Sequence, residues 1–409
     1  MKNSMELIQR LLEKYNKKVW VMYNSKNDDN IFCKYFTRNL ATHTICIISK
    51  DKVYIVISSL DKDNVLKIKY DKEKVKILVY HNKAELDIII EEIIAKLNFV
   101  NDISLSYSTM SDKNTDILSH GSYVYISKLL KKPYLKYKKK IRFSSAEKII
   151  YDLESRKTKK EIDRLKLLAD ITNRILEETF KCIKVGMNEI EIVNKTHEIT
   201  EDVMKLYIGS NDIVSFDLAW ENCPIVLTGV NLAKGGHSLP STKKLFKGDT
   251  VYFDFGIKVE FKDETVLYTD MQRMGYVLKK NEYAPPKSVM KVFNTLVSSI
   301  SDGIDEMKAG VKAYKVDNIV RGKILKSGFP DYNHATGHPV GRKVHDIGAI
   351  ISLKTSKGLS SLELIENGVY TLEPRVNIEN GGSIEEMIMV TKYGGIPLTK
   401  LQDEIYIIK

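Results

Sequence analysis

The 409-residue chain has few cysteines and no long apolar run, and these absences exclude several classes of protein. Its four cysteines include no C-x-x-C pair, which argues against a disulfide framework and a cysteine-rich zinc site. No stretch approaches the roughly 18 apolar residues of a membrane helix, and the start of the chain lacks the apolar segment of a signal peptide. We therefore expect a cytoplasmic protein with reduced thiols and no membrane association.

Short motifs for nucleotide binding and nucleophilic catalysis are also absent. The sequence has no P-loop and no G-x-G-x-x-G after a strand, so nucleotide binding has no support. It has no G-x-S-x-G elbow, and no cysteine lies in a recognisable nucleophile motif. Residues Asp254, Phe255 and Gly256 spell the kinase DFG, but no glycine-rich loop or HRD loop precedes them.

Positive charge exceeds negative charge, with 64 lysines and arginines, 53 acids and a net charge of +11 at pH 7. Such an excess brings nucleic acid into consideration as a partner. Only residues 128–142 concentrate this charge, and a run of this kind is typical of a solvated edge or linker. Because basic residues are otherwise spread among the acids, we do not expect a nucleic-acid partner.

The length and the change of pattern along the chain predict two domains. Residues 1–150 combine helical patterns with β-branched segments, of which 44–49 and 53–57 are joined by a link of hairpin size. From residue 159 the pattern changes to long amphipathic helices followed by strands. We predict an α+β fold with an α/β domain in residues 1–150 and a second domain in residues 151–409.

A short motif is repeated within the second domain. Residues 184–187 read KVGM and residues 308–311 read KAGV, and each copy lies between two predicted helices and precedes β-rich sequence. A duplicated unit of helix, turn, helix and strands predicts two halves packed about a pseudo-twofold axis, with a site between them.

Acidic residues lie inside apolar segments of this domain. Asp254 lies in the segment 251–256 and Asp270 in the segment 266–271, and residues 259–264 between them have the pattern of a turn. The two acids are therefore expected to face each other across an antiparallel hairpin. Facing carboxylates repel, and a buried pair is costly unless a cation or a proton lies between them. A bound metal is the economical explanation.

Further candidate ligands follow toward the carboxyl terminus. His334, His338 and His345 are three of the eight histidines, and Glu373 and Glu385 each lie in another apolar segment. The histidines do not form the helical H-E-x-x-H signature, because a glycine and a proline flank the middle one. Four carboxylates and one imidazole suit a pair of divalent ions bridged by carboxylates and water, with this ligand set: Asp254, Asp270, His338, Glu373 and Glu385.

In this order the motifs resemble the creatinase, prolidase and aminopeptidase P group of metallopeptidases, which have the pita-bread fold. The resemblance covers roughly residues 155–409 and rests on motifs along that whole stretch: Pro240 beside His237, 246–250 leading to Asp254, 268–273, the spacing of His334, His338 and His345, 371–374 and 384–386. Residues 1–150 resemble more loosely the non-catalytic domain of creatinase and prolidase. The implied architecture is a creatinase-type amino-terminal α/β domain followed by a pita-bread catalytic domain with duplicated halves.

The resemblance also implies a role for each residue. The four acids and His338 named above as a set would bind two divalent ions, with manganese first and cobalt, zinc or iron as the other candidates, and Asp270 and Glu385 would bridge them. Glu373 would also be the general base and acid. His345 would hydrogen-bond the scissile carbonyl, His237 would contact the substrate near the leaving group, and His334 would line the proline pocket.

The implied activity is hydrolysis of the Xaa-Pro bond at the amino terminus of peptides or in dipeptides, by a homodimer. Two departures from the group bear on it. Ser383 stands where the peptidases usually have an arginine two residues before the last ligand, and Arg375 replaces the usual glycine after Glu-Pro. Arg375 either restores the missing positive charge or points to solvent.

Two other functions stay open at this point. One is a catalytically silent pita-bread protein that binds RNA or protein, which the basic charge and Ser383 favour slightly. The other is a metal-free hydrolase of carbon–nitrogen bonds of the creatinase type, with His345 or His237 as its base. Creatinase lacks the full ligand set, whereas this chain retains it.

Overall fold

The computed structural model describes residues 2–25, 31, 40–66, 70–110, 112–234, 238–355 and 358–409. The chain divides into two compact units, Met1–Glu154 and Ser155–Lys409. The sequence predicts a domain boundary between residues 150 and 151. That this boundary separates two independently folding domains stays a prediction. Among the helices of these described residues, none combines the length and the hydrophobicity that a membrane-spanning helix requires.

The first unit is built on one mixed six-stranded sheet, with strand order β4-β3-β2-β1-β5-β6. Its strands are β1 Val19–Ser25, β2 His43–Ser49, β3 Val53–Ser58, β4 Val75–Tyr80, β5 Asp102–Leu105 and β6 Arg142–Ser145. Its helices are α1 Lys2–Lys14, α2 Lys62–Leu66, α3 Lys83–Lys96, α4 His120–Lys136 and α5 Glu147–Ser155, with a 3-10 turn at Ser59–Asp61. Strands β2 and β3 pair antiparallel, as the short polar link between them predicts.

The basic stretch 128–142 lies on α4 and the segment that follows it. Acids of α3 neutralise part of its charge, since Lys132 lies 2.6 Å from Asp87 and Lys136 lies 2.6 Å from Glu91. These pairs are largely exposed, and exposed ion pairs contribute little to the stability of a fold. The concentration of lysines is therefore partly balanced by a neighbouring helix of the same unit.

The second unit has four sheets, with strand orders β11-β10-β7, β18-β12-β9-β8, β13-β16-β17 and β14-β15. The strands are β7 Ile213–Leu218, β8 Ile225–Thr228, β9 Thr250–Phe255, β10 Ile257–Phe261, β11 Val266–Tyr268, β12 Met271–Val277, β13 Val369–Leu372, β14 Arg375–Val376, β15 Gly382–Ser383, β16 Glu386–Val390, β17 Gly395–Pro397 and β18 Tyr406–Ile408. The helices are α6 Lys159–Cys182, α7 Glu189–Lys205, α8 Lys287–Glu306 and α9 Ala313–Lys326, with 3-10 turns at Gly229–Lys234 and Leu359–Ser361.

The sequence specifies the starts of the first two helices of this unit. Thr158 caps α6 and Asn188 caps α7, and in each case a glutamate three residues later, Glu161 or Glu191, closes a capping box. Both helices turn an apolar face toward strands β8 to β12 and form one core with them. Helices α8 and α9 form a second core with β13 and β16.

The repeated motif lies at equivalent points of the two halves. Gly186 separates α6 from α7 and Gly310 separates α8 from α9. Their φ angles are 93° and 88°, in the left-handed region that a side chain with a Cβ atom rarely adopts. The duplication read from the sequence is therefore a duplication of helix, glycine turn and helix.

The predicted turn over residues 259–264 is wrong in its first part. Ile257–Phe261 is strand β10, which pairs antiparallel with both β7 and β11, and only the residues after it turn. The charged residues Lys258 and Glu260 lie on this strand because its alternate residues, Ile257 and Val259, are buried. The acids Asp254 and Asp270 are consequently separated by two strands.

Candidate metal centre

The four acids predicted as ligands lie at or beside strand ends, and the fifth predicted ligand, His338, does not. Asp254 is the penultimate residue of β9, Asp270 lies between β11 and β12, Glu373 follows β13, Glu385 lies between β15 and β16, and His338 belongs to an irregular segment. The sequence places these acids inside strands, whereas the structure places three of them in breaks between strands. A break interrupts the strict alternation of side chains, so that neighbouring residues can turn into the same space.

Strand β12 aligns the elements that carry these residues. Gln272 of β12 is paired in register with Asp254 of β9. On its other side, Gln272 forms two backbone hydrogen bonds with Glu385, at 3.3 Å and 3.1 Å. The register brings Asp254, Asp270 and Glu385 to one place, although the predicted direct pairing of Asp254 with Asp270 is wrong, because Asp254 faces Gln272.

His338 lies at the centre of the cluster. Its Nε2 atom is 3.5 Å from Asp270 Oδ2, 3.7 Å from Glu373 Oε1 and 3.8 Å from Glu385 Oε1. Ligand atoms of Asp270, His338 and Glu385 all lie within 4.8 Å of one another. Asp254 and Glu373 join this group through Gln272, whose Nε2 is 3.5 Å from Asp254 Oδ2 and 3.2 Å from Glu373 Oε2.

The tautomer of His338 follows from its other ring nitrogen. Nδ1 lies 3.2 Å from the carbonyl oxygen of Pro339, and a carbonyl can only accept a hydrogen bond, so Nδ1 is the donor. In the neutral imidazole the lone pair is then on Nε2, which faces the three carboxylates. Histidines that bind metals are typically oriented by such a hydrogen bond to the backbone.

Burial makes this concentration of carboxylates unfavourable without a cation. Burial raises the pKa of Asp270 to about 7 and that of Glu373 to about 8. Burial and the charge of Asp270 together raise the pKa values of Asp254 and Glu385 well above their usual range. Each group is therefore pushed toward protonation unless a positive charge replaces the proton.

Three carboxylate oxygens of the cluster carry the clearest indication of a ligand. Asp270 Oδ1 and both oxygens of Glu385 are buried and accept no hydrogen bond within the described residues. Buried polar atoms are nearly always paired, and an unpaired one calls for an ion or water. Oxygen-rich sites with one imidazole suit divalent first-row ions, so the residues present fit a divalent cation.

The three histidines with predicted substrate roles are His345, His334 and His237, and the two that the structure describes differ in their contacts. The ring of His345 is exposed and its centroid lies 4.4 Å from that of His338. His334 donates from Nδ1 to the carbonyl oxygen of Ala335 at 2.7 Å, and its ring lies against Tyr332 at 4.9 Å. His237 lies outside the described residues.

A cavity of about 670 Å³ opens onto the cluster. Asp254, Asp270, His338 and Glu373 lie at one side of it, and both His334 and His345 contribute to its walls. The remaining walls are largely apolar and come from loops and strand ends: Ala219, Trp220, Ile225, Leu239, Val344 and Ile350. An apolar cavity with a few convergent polar groups is the usual form of a small-ligand site.

Two buried networks hold the histidine-bearing segments. Lys157 and Asp346 form an ion pair of 3.2 Å, and both side chains are almost fully buried. Asp346 directly follows His345 in sequence. Arg321 donates to the carbonyl oxygens of Tyr332 and His334, which fixes the segment that leads to His338. The sequence reasoning missed both networks, since each depends on tertiary packing and Lys157 is far from Asp346 along the chain.

Sequence reasoning also missed the part played by Gln272. It lies two residues after Asp270, and residues two apart on a strand share a face. That spacing was a usable indication that its side chain points toward the acids.

Comparison with known proteins identifies relatives along most of the chain. Residues 163–392 match metallopeptidase family M24. An Xaa-Pro dipeptidase of Pyrococcus horikoshii is 27% identical over 296 residues, which cover 72% of this chain and 75% of the relative. An uncharacterized peptidase of Staphylococcus haemolyticus is 27% identical over 256 residues, which cover 62% of this chain and 64% of the relative, just under two thirds of its length.

Solved structures of other proteins superimpose on this chain over nearly its full length. The Xaa-Pro dipeptidase from Bacillus anthracis matches with a TM-score of 0.63 and 20% identity, covering 100% of this chain and 99% of that one. The X-Pro aminopeptidase from Thermotoga maritima matches with a TM-score of 0.62 and 21% identity, covering 98% and 100%. At these identities the likeness establishes the fold, and it confirms the predicted α+β class with an amino-terminal α/β domain before the pita-bread domain.

Proposed function

Because the chain belongs to metallopeptidase family M24, we propose that it hydrolyses the bond between a first residue and a following proline in peptides or dipeptides. The family acts on peptides and uses divalent metal. The observation that carries the proposal is the convergence of three buried carboxylates, the half-buried carboxylate of Glu373 and the Nε2 atom of His338 beside an apolar cavity. The relative from Pyrococcus horikoshii named an Xaa-Pro dipeptidase supports the choice of proline.

The proposed ligand set holds two divalent ions, with manganese as the first candidate and cobalt, zinc or iron as the others. Asp254, Asp270, His338, Glu373 and Glu385 form this set, and Asp270 and Glu385 are the bridging residues. Divalent ions held there would polarise the scissile carbonyl and lower the pKa of water toward neutrality. The unpaired oxygens of Asp270 and Glu385 support this assignment of the bridging pair.

Glu373 is proposed to accept a proton from the attacking water and to return it to the nitrogen of the leaving group. Gln272 donates to its Oε2 at 3.2 Å, which holds the carboxyl group in place, and its Oε1 lies 3.7 Å from His338 Nε2. Its side chain is 16% exposed and lines the cavity, which gives it access to substrate. A carboxyl whose pKa lies near neutrality can both take up and release a proton.

The histidines are proposed to bind the substrate. His345 lies at the cavity wall beside His338 and would donate a hydrogen bond to the carbonyl oxygen as negative charge develops on it. His334 would line the pocket for the proline ring together with the apolar walls, and His237 would contact the substrate near the leaving group. The Lys157–Asp346 ion pair would keep His345 in position from the protein side.

Neither alternative function is favoured. A binding protein without metal would retain four converging carboxylates, three of them buried, whose mutual repulsion serves no purpose. A metal-free creatinase-type hydrolase would not need the ligand set that the chain retains. We also propose that the protein is a cytoplasmic homodimer, which light scattering after size-exclusion chromatography and cell fractionation would test.

The proposed function is tested with the purified protein after removal of metal by a chelator and reloading with Mn²⁺. We expect stoichiometric metal uptake and metal-dependent hydrolysis of Ala-Pro or Ala-Pro-Ala, but not of Ala-Ala. The ratio of the two proline rates assigns the activity to a dipeptidase or to an aminopeptidase. Failure to bind any divalent ion would eliminate the metal centre, and equal rates on Ala-Ala would eliminate the preference for proline.

A further inference from the structure

Arg375 and Ser383 face each other across the short antiparallel pair of β14 and β15. Arg375 is only 2% exposed, so of the two alternatives that the sequence left open, the one in which it points to solvent is wrong. Directly opposed residues of an antiparallel pair project from the same face of the sheet. Both also line one cavity of about 300 Å³, together with Asp254 and Glu373. The side chains at both positions therefore border the same cavity beside the proposed metal ligands.

The side chain of Arg375 is held between neutral groups. Its Nε donates to Asn377 Oδ1 at 2.6 Å and its Nη2 donates to the carbonyl oxygen of Leu232 at 3.3 Å. The guanidinium carbon lies 4.7 Å from the centroid of the Tyr252 ring, within the range of a cation–π contact. A buried charge is expensive unless it acts on an opposite charge nearby, and the nearby negative charge is the carboxylate cluster.

Tyr252 connects Arg375 with the nearest of these carboxylates. The Tyr252 hydroxyl donates to Asp254 Oδ2 at 3.2 Å, and both residues lie on β9, two positions apart. The Tyr252 side chain is buried, so its ring cannot turn away into solvent. The three groups form a chain from the Arg375 guanidinium through the Tyr252 ring and hydroxyl to the Asp254 carboxylate.

We propose that Arg375 is a positioning residue of the metal centre, which holds Asp254 through Tyr252 and supplies from β14 the positive charge that Ser383 of β15 does not supply. This inference rests on the proposed function, because it assigns a task to Arg375 only if Asp254 binds metal. Ser383 in turn donates from Oγ to the carbonyl oxygen of Pro374 at 2.8 Å and leaves the shared cavity open.

The test measures Mn²⁺ binding to the full-length protein by titration calorimetry after metal removal. We expect Arg375→Met to weaken the apparent affinity about tenfold, the usual effect of losing a group that orients a ligand. The double variant Arg375→Met with Ser383→Arg should return to within about threefold of the wild type, because residue 383 projects into the same cavity. Arg174→Met, on the exposed face of α6, is the matched control and should leave binding unchanged.

A double-mutant cycle with Tyr252→Phe checks the route of action. Phenylalanine keeps the ring beneath Arg375 but removes the hydrogen bond to Asp254, so the losses from Tyr252→Phe and Arg375→Met should not add. Wild-type affinity in Arg375→Met, a loss that Ser383→Arg fails to reverse, or additive losses in the cycle would each overturn the inference. A wild-type protein that binds no Mn²⁺ would overturn the proposed function as well.

Discussion

Gln272 lies directly opposite Asp254 in the register of β9 and β12, and its amide nitrogen reaches two carboxylates, Asp254 and Glu373. A neutral donor between two acids reduces their repulsion without adding a charge that would compete with a cation. The same residue is joined through its backbone to Glu385. Gln272 is thus the structural link among three of the proposed ligands.

Replacing Gln272 by methionine should therefore weaken the centre without removing a ligand. Methionine fills a similar volume but donates no hydrogen bond, so Asp254 and Glu373 lose a common partner. We expect about a tenfold fall in kcat/KM for an Xaa-Pro peptide and a matching fall in Mn²⁺ affinity. Steady-state kinetics and calorimetry measure the two effects, and wild-type values for both would contradict the role given to Gln272.

Changes at the bridging residues should separate metal binding from substrate binding. Asp270→Asn and Glu385→Gln should abolish bound metal and activity together, because each removes an anionic ligand that has no substitute nearby. His345→Ala should retain metal and lose turnover, by about 10²-fold or more if its hydrogen bond forms in the transition state. Elemental analysis of each purified variant gives the metal content.

The control for this series is Asp217→Asn, which removes an exposed acid of β7 and should change neither property. Full activity in either bridging variant would rule out the proposed centre. Loss of metal in His345→Ala would mean that this histidine belongs to the ligand set.

The metal-free protein should lose stability as the pH rises. The folded-state pKa values of Asp270 and Glu373, about 7 and about 8, lie above their usual range, so the folded chain binds protons that the unfolded chain has released. Stability is then greatest below about pH 4 for these groups and declines up to about pH 8. Scanning calorimetry without metal should give a falling Tm between pH 5 and pH 8.

Addition of Mn²⁺ should reverse this trend, because the cation replaces the protons and binds only the folded state. Calorimetry in buffers with different ionisation enthalpies should also detect protons released on metal binding. A Tm of the metal-free protein that rises over the same interval would contradict the assignment of the raised pKa values.

The ion pair of Lys157 and Asp346 should be costly to break from one side. Asp346→Asn leaves a buried lysine without its carboxylate, and such changes destabilise by about 3–5 kcal/mol. Urea denaturation of the metal-free protein measures the loss. The paired change Lys157→Met with Asp346→Leu should recover much of it, since no unpaired charge remains; an equal loss in both variants would show that packing, and not charge, is responsible.

The basic stretch of the first unit should be dispensable for catalysis. Changing Lys138, Lys139 and Lys140 together to alanine should leave kcat/KM for an Xaa-Pro peptide within about twofold of the wild type, because exposed surface changes usually have small effects. A large loss in the same assay would give this surface a part in substrate handling that the charge pattern does not indicate.

Local chemistry allowed much of this fold to be predicted from sequence. Capping boxes at Thr158 and Asn188 mark helix starts, and the repeated glycines at 186 and 310 mark equivalent turns. The four acids of the cluster were singled out because an acid inside an apolar run is unusual, and His338 because three of the eight histidines lie close together in sequence. What the sequence could not provide is long-range register, which decides that Asp254 faces Gln272 and that Arg375 faces Ser383.

The wrong turn and the undecided position of Arg375 have the same physical origin. Residues 259–264 resemble a turn by their charges, and only the pairing of residues 257–261 with β7 and β11 reveals a strand half of which is buried. Whether Arg375 was buried depended on Tyr252, Asn377 and Leu232 lying around it, and Leu232 is far away in sequence. Interactions of this kind depend on tertiary packing and leave little trace in a local pattern.

The backbone bridge between Gln272 and Glu385 joins the strands of one helix-containing half to those of the other. Any hinge motion that separated the halves would break these backbone hydrogen bonds and increase the distance between the side chains of Asp270 and Glu385. Metal binding and the association of the two halves are consequently coupled. A chelator should therefore loosen the second unit as a whole, and its resistance to a protease should increase with the fraction of sites that hold metal.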